Sequence, residues 1–327
     1  MSAKKSSGKE LSVGEKHVKR LGIRAINSQD RLEKEGSRIF GNGFLDIVHR
    51  IQRDSNSPDY DVKNSDYDIA MFYSGAYDYH IIVKACDWIS EHKECFGKKI
   101  LEIGCDCGFM TTFLATQFPD CHIVSIDREK NGLEIAKKNC EKFGVTNVEF
   151  IQSDLMDLEY GKFDTVFSMR TLSVNIYPKI KDDKDWHQIQ YSDRFSVALE
   201  NFSAKLSSMI NENGTFVSIE RLWADFTLLG WIKAQKNAGL SVSSEDHAEL
   251  ICRELGEKIT LQALIGTKKN SDQDLCEVFM ECFKHHTDTH LGRYFGYEAD
   301  VMCEYTGRSM LSGYMIKNLN TGDVFRA

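Results

Sequence analysis

The residues of this 327-residue chain best suited to chemistry lie between Glu102 and Asp154. An apolar run, Lys99–Ile103, carries Glu102 near its end and leads into Gly104-Cys105-Asp106-Cys107-Gly108. A glycine turn at a strand end lets backbone approach a ligand closely, because glycine has no Cβ. Asp127 closes the next apolar run, and Asp154 follows a third in Gln152-Ser153-Asp154-Leu155-Met156. An ionised carboxylate only accepts hydrogen bonds, so carboxylates placed at strand ends suit the hydroxyl and amino groups of a ligand.

Positioning these groups requires a regular scaffold, and the apolar periodicity supplies one. Strands are predicted at 99–103, 122–126, 148–152, 163–169 and 215–219, with two more within 240–253 and 258–267. Helices are predicted at 109–117, at 131–143 closed by Gly144, at 195–211 ending in the turn Asn213-Gly214, and at 228–238 closed by Gly239. Trp231, with Leu228 and Ile232, fits a buried helix face. Such alternation implies an α/β fold, a seven-stranded mostly parallel sheet with helices on both faces. Residues 1–27 read as a disordered or loosely helical basic tail, and 28–84 as a helical cap. That cap holds a polar loop from Asp54 to Asp66 and an amphipathic stretch, Ile69–Ser90, broken near Gly75. The core is expected over 85–268. Residues 269–327 read as an extension, with a helix near 272–285 and a terminal hairpin.

The run Glu102-Ile103-Gly104-Cys105-Asp106-Cys107-Gly108 resembles motif I of the class I S-adenosylmethionine (SAM)-dependent methyltransferases, E/D-x-G-x-G-x-G. Phe163–Met169 resembles their motif IV. The resemblance implies a Rossmann-like domain using SAM and releasing S-adenosylhomocysteine, without a metal. It places Glu102, Gly104, Cys105, Asp106, Gly108, Asp127, Arg128, Asp154, Leu155 and Met169 around the cofactor. Asp127 would accept from the ribose hydroxyls, Asp154 would meet the adenine amino group, and Leu155 would pack on the ring. Tyr73 resembles the aromatic residue that closes over SAM in many relatives, and it also reads as ordinary core. One departure is Asp106, where the family has glycine. It admits three readings: a side chain tolerating the turn and pointing outward, a contact to the amino group of the cofactor's methionine, or weakened cofactor binding.

The acceptor is less legible, because methyl transfer from a sulfonium needs alignment more than any universal catalytic residue. Ser168-Met169-Arg170-Thr171 stands where the adenine and glutamine N-methyltransferases of this fold usually carry N/D-P-P-Y. A small-molecule acceptor is therefore expected, with an unfamiliar protein acceptor as the alternative. Arg170 and Glu220 are candidate substrate-binding residues, and each also reads as a local ion pair. His187, in the polar, aromatic insertion 172–194, is a candidate base. Cys282, His285, His286 and His290 lack a metal-knuckle spacing, so no metal site is expected.

Composition narrows the partners. A net charge of −8 argues against a dedicated nucleic-acid binder. Ten cysteines without a regular framework, and no apolar run behind the basic start, suggest free thiols in the cytoplasm and no membrane attachment. Two rival functions stay open: a non-catalytic SAM-fold interaction or assembly protein, motivated by Asp106, and a nicotinamide oxidoreductase sharing the fold. The C-terminal extension is expected to complete the acceptor pocket or to form a homodimer contact.

Overall fold

The computed structural model describes residues 10–53, 59–172, 190–222 and 225–268, together with the backbone of three short strands near the C-terminus. The sheet is built from β1 (Lys99–Ile103), β2 (His122–Asp127), β3 (Val148–Gln152), β4 (Phe163–Met169), β5 (Ile210–Glu220), β6 (Ser241–Glu254) and β7 (Glu257–Thr267). Its order is β3-β2-β1-β4-β5-β7-β6. β1 to β5 run parallel, whereas β7 is antiparallel to both β5 and β6. That inserted antiparallel strand separates this sheet from the dinucleotide-binding order 3-2-1-4-5-6.

Strand alternation divides the core between the two faces. Leu101, Val124, Val166 and Phe216 join one cluster with Phe195, Leu206, Leu228 and Trp231. Ile100, Ile123, Phe167 and Val217 join the other with Val18, Ile81, Trp88, Phe113 and Leu114. The indole of Trp231 is fully buried and donates to Ser218 Oγ at 3.0 Å, which satisfies its polar atom.

The amino-terminal region is more ordered than its composition suggests. α1 (Val13–Leu21) is a helix whose Ser12 and Glu15 form a reciprocal capping box, closed by Gly22 in the left-handed conformation. It docks through His17, Val18 and Leu21, so of the two expectations for this stretch, disordered or loosely helical, residues 13–21 are helical, and packed rather than loose. His17 Nε2 lies 2.8 Å from the Phe109 carbonyl, and its ring meets Phe113 edge-on. Next come α2 (Gln29–Phe40), α3 (Phe44–Ile51), α4 (Tyr60–Lys63), α5 (Tyr67–Tyr77) and α6 (Tyr79–Glu91). The stretch read as a polar loop thus contains a helical turn, capped by Asp59, which accepts from Val62 N–H. The break in the following segment falls at Asp78 rather than Gly75.

The core helices are α7 (Phe109–Gln117), α8 (Lys130–Phe143), α9 (Gln190–Ala198), α10 (Glu200–Ser208) and α11 (Asp225–Asn237). The helix predicted across 195–211 is two helices broken at Leu199. Asn213-Gly214 is not a turn but an irregular stretch of β5, where the register to β4 shifts. β6 and β7 are joined by Leu255-Gly256, both at positive φ (48° and 88°), as a two-residue hairpin requires. The hairpin tip rests on the cap, with Leu255 N–H donating to Ala76 O at 2.9 Å. Near the C-terminus, β8 (Tyr297–Glu298), β9 (Met315–Asn318) and β10 (Val324–Arg326) form a separate antiparallel sheet. Its β9–β10 pair matches the predicted hairpin.

Candidate cofactor and acceptor site

A cavity of about 460 Å³ opens at the carboxyl ends of β1, β2 and β4, beneath α4 and α5 of the cap. Its size is that of a small-molecule pocket, and it lies where ligands of open α/β sheets bind. The glycine loop forms its floor. Gly104, at φ 71°, donates its N–H to Ile126 O at 2.8 Å, which draws the turn across to β2. A Cβ at Gly104 would lie 2.6 Å from the Thr171 methyl, so only glycine lets the post-β4 turn close over it. Gly108, also at φ 71°, opens α7, and a Cβ there would meet Ala136 of α8 at 2.6 Å.

Asp106 adopts φ 44°, the left-handed backbone that glycine would otherwise supply. Its side chain does not point outward. One oxygen pairs with the Lys63 ammonium and the other accepts from Asn64 Nδ2 at 2.7 Å. Burial by itself would raise the Asp106 pKa, but the Lys63 charge and the Asn64 amide hold it below the ordinary carboxylate range. Asn64 Nδ2 also donates to Glu129 Oε2 at 3.0 Å, and Glu129 caps α8. The cap is thereby stitched to the glycine loop and to α8.

The strand-end carboxylates are oriented by backbone. Asp127 Oδ2 accepts from Asp106 N–H at 2.8 Å and Oδ1 from Glu129 N–H at 2.9 Å. A carboxylate offers about four acceptor sites, so each oxygen keeps one for a ligand. That leaves both oxygens of Asp127 able to accept from ligand hydroxyls. Burial pushes the Asp127 carboxyl upward, against those two amides. Asp154 accepts from Met156 N–H at 2.9 Å and faces Arg128 Nη1 at 3.4 Å, while Leu155 is buried beside it. All of Asp127, Arg128, Asp154, Leu155, Cys105 and Met169 line the cavity.

Glu102 is buried beneath the loop, where its Oε2 accepts from Thr111 and Ser125 hydroxyls at 2.5 and 2.7 Å. Burial raises its carboxyl to about 7 despite those donors. Tyr73 both lines the cavity and packs in the cap core, stacked on Tyr77 with centroids 4.7 Å apart.

The two candidate substrate residues differ. Arg170, at φ 57°, lines the cavity but is bound to Asp78 at 2.7 Å and Glu254 at 3.1 Å. Burial disfavours its charge, yet those two carboxylates raise its pKa. Arg170 therefore joins the cap to the tip of the β6–β7 hairpin. Glu220 is not part of the cavity wall. Its Oε1 accepts from Ser168 Oγ at 2.7 Å and from Thr171 N–H at 3.2 Å, and its Oε2 from Leu172 N–H at 3.2 Å. It clasps the turn that follows β4. His187 and the Cys282–His290 run lie outside the described residues.

Sequence reasoning missed Lys63, Asn64, Tyr60 and Asp78: the first three lie in the stretch read as a loop, and Asp78 in the amphipathic stretch whose break was expected near Gly75. One signal called for a cation without saying which: a carboxylate in place of a glycine inside a buried turn demands a counter-charge.

Two family models match the chain, a "Methyltransferase domain" over residues 96–238 and "Protein-L-isoaspartate(D-aspartate) O-methyltransferase" over residues 33–158. Among curated relatives, the release factor glutamine methyltransferase of Escherichia coli is 24% identical over 176 residues, which is 50% of this chain and 58% of that protein. The rRNA N(6)-adenosine-methyltransferase of Caenorhabditis elegans is 32% identical over 89 residues, 26% of this chain and 42% of that protein. The chain thus spans less than two thirds of either relative. Among solved structures, the magnesium protoporphyrin IX methyltransferase of Synechocystis is 16% identical, with a TM-score of 0.42, covering 73% of this chain and 97% of that one.

Proposed function

We propose that this chain is a Rossmann-like SAM-dependent methyltransferase, a reading that its two methyltransferase-domain matches and its sheet order support, and that it methylates a small acceptor that carries no phosphate. The charge of the cavity carries this reading. Among the described residues, eight carboxylate side chains line it against three cationic ones. Each of those cations already faces a carboxylate: Lys63 faces Asp106, Arg128 faces Asp154, and Arg170 faces Asp78. Such a field attracts a cationic sulfonium and repels an anionic acceptor.

SAM supplies a methyl group on a sulfonium, an electrophile that needs an aligned nucleophile. The chain's own residues bind and orient. Asp127 takes the ribose hydroxyls on its remaining acceptor sites, and Asp154 with Leu155 forms the adenine wall. Tyr73, Tyr77 and Tyr60 face the cavity from the cap, where their rings exclude water from the transfer. Met169 and Arg170 mark the side of the cavity nearest the end of β4, where an acceptor would enter.

The glutamine and adenosine acceptors named for the two relatives are not carried over, since Ser168-Met169-Arg170-Thr171 replaces the N/D-P-P-Y run expected of such enzymes. No helix among the described residues is long and apolar enough to cross a membrane. Action in the cytoplasm belongs to the same proposal.

The test is transfer of labelled methyl from SAM in a cell extract, with the products divided by size after digestion-free filtration. Label in the low-molecular-weight fraction supports a small acceptor. Label confined to protein or RNA contradicts it.

A further inference from the structure

The Tyr77 hydroxyl ends a line of hydrogen bonds that the cofactor reading leaves unused. Tyr77 closes α5 and lines the cavity. Gln52, which follows α3, donates from Nε2 to that hydroxyl at 2.5 Å and to Gln29 Oε1 at 3.2 Å. Gln29, in the first turn of α2, donates from Nε2 to Glu33 Oε1 at 2.7 Å and to Gln52 Oε1 at 3.4 Å. Three cap helices thus contribute to one polar line that runs from Glu33 to the cavity.

The polarity of this line is set at its outer end. An ionised carboxylate only accepts, so Glu33 requires the Gln29 NH₂ to face it. Gln29 then turns its carbonyl to Gln52, and the Gln52 NH₂ faces Tyr77. The opposite amide orientations would set Gln29 Oε1 against Glu33 Oε1 at the same 2.7 Å. The Tyr77 oxygen is therefore held as an acceptor, and its own proton must be given elsewhere. The neighbouring hydroxyl is that of Tyr73, whose ring is stacked on Tyr77. Two hydroxyls carry two protons and a bond between them uses one, so the pair still offers an O–H to the cavity. Burial raises the Tyr77 pKa, which keeps that proton in place at neutral pH. Asp78, the next residue, holds Arg170 at 2.7 Å just past the end of β4. Asp154 and Leu155 follow β3, which β2 and β1 separate from β4 in the sheet. The hydroxyl thus stands on the acceptor's side of the cavity, away from the side assigned to adenine.

We propose that Tyr77 is a specificity residue for the methyl acceptor, donating its hydroxyl proton to an uncharged carbonyl, ether or hydroxyl oxygen on that molecule. This rests on the methyltransferase reading of the cavity. Gln52, Gln29 and Glu33 are positioning residues, which keep Tyr77 from donating backward into the cap. The bond orients the acceptor and takes no part in the transfer itself. A buried donor left unpaired is costly, so an acceptor without such an oxygen is rejected.

The experiment follows labelled methyl transfer from SAM in a cell extract, with S-adenosylhomocysteine affinity measured by calorimetry on each chain. Tyr77→Phe keeps the ring and removes the donor. It should slow transfer about tenfold or more while the affinity stays within about threefold. Gln52→Glu keeps Tyr77 but sets beside it a carboxylate that only accepts. The O–H then turns back into the cap, and transfer should fall as far as in Tyr77→Phe. Gln52→Met cannot draw the proton away and should lose only about two- to threefold. A merely structural role for Gln52 gives its two variants the same loss, and that result overturns the proposal. So does a Tyr77→Phe chain that transfers at the wild-type rate. Should Tyr77→Phe not fold, the contrast between the two Gln52 variants still decides. No transfer by the wild-type chain overturns the methyltransferase reading itself, and this proposal with it.

Discussion

Replacing Glu220 by glutamine should change how stability depends on pH, and the structure fixes both the sign and the scale. Glu220 is 1% exposed, and burial raises its carboxyl from 4.5 to about 7. Between those values the folded chain holds a proton that the unfolded chain has released. The stabilising contribution is therefore complete below about pH 4.5 and is lost as pH rises through 7. A shift of this size corresponds to about 3 kcal/mol over the whole range. Glutamine cannot titrate, so it removes the dependence, but it does not fit freely. Oε1 faces Thr171 N–H and Oε2 faces Leu172 N–H, so either orientation of the amide sets its NH₂ against a backbone donor. That orphaned donor costs about 1–3 kcal/mol at every pH. Urea unfolding of both chains at pH 5, 6, 7 and 8 gives the comparison. The wild-type advantage should be largest at pH 5 and should shrink by about 2–3 kcal/mol by pH 8. A constant difference across this range would refute the argument that Glu220 is a buried clasp charged at a cost.

Other expectations follow from the same geometry. Gly108→Ala should destabilise the fold by about 2–5 kcal/mol, combining left-handed backbone strain with overlap onto Ala136, whereas Gly144→Ala, at φ 64° with open space around it, should cost only about 1–2 kcal/mol. Equal shifts in thermal midpoint would show that the α7–α8 approach is not tight at Gly108. His17, whose pKa burial lowers from 6.5 to about 4, stays neutral in the folded chain while the unfolded chain protonates. Relative to His17→Phe, the wild-type chain should lose up to about 3 kcal/mol as pH falls from 6.5 to 4, measured by the same urea series, with no pH dependence of the difference counting against a buried neutral ring.

The sheet and its glycine loop were legible because they rest on local rules. A strand such as β1, buried on both faces, must be apolar, and the turn after it must carry glycine at Gly104 and Gly108. The carboxylates Asp127 and Asp154 were likewise marked by their place at strand ends. What sequence could not show were partners chosen by tertiary approach. Nothing local ties Lys63 to Asp106, Arg170 to Asp78 and Glu254, or Glu220 to the turn after β4. Each pairing joins segments far apart in the chain. The order in α1 was hidden for a related reason: a short basic helix is marginal alone, and docking His17, Val18 and Leu21 stabilises it. Asn213-Gly214 misled in the opposite direction, since a turn-forming pair was absorbed into an irregular strand.

The central claim is that Asp127 and the glycine loop hold an adenosyl cofactor. The most direct test is calorimetric titration of the wild-type chain and Asp127→Ala with SAM and S-adenosylhomocysteine, with NADH as control. Removing a carboxylate that accepts from two hydroxyls should weaken both adenosyl ligands by about tenfold or more, with no heat from NADH in either chain. Unchanged affinity in Asp127→Ala, or binding of NADH in preference to SAM, would contradict the account.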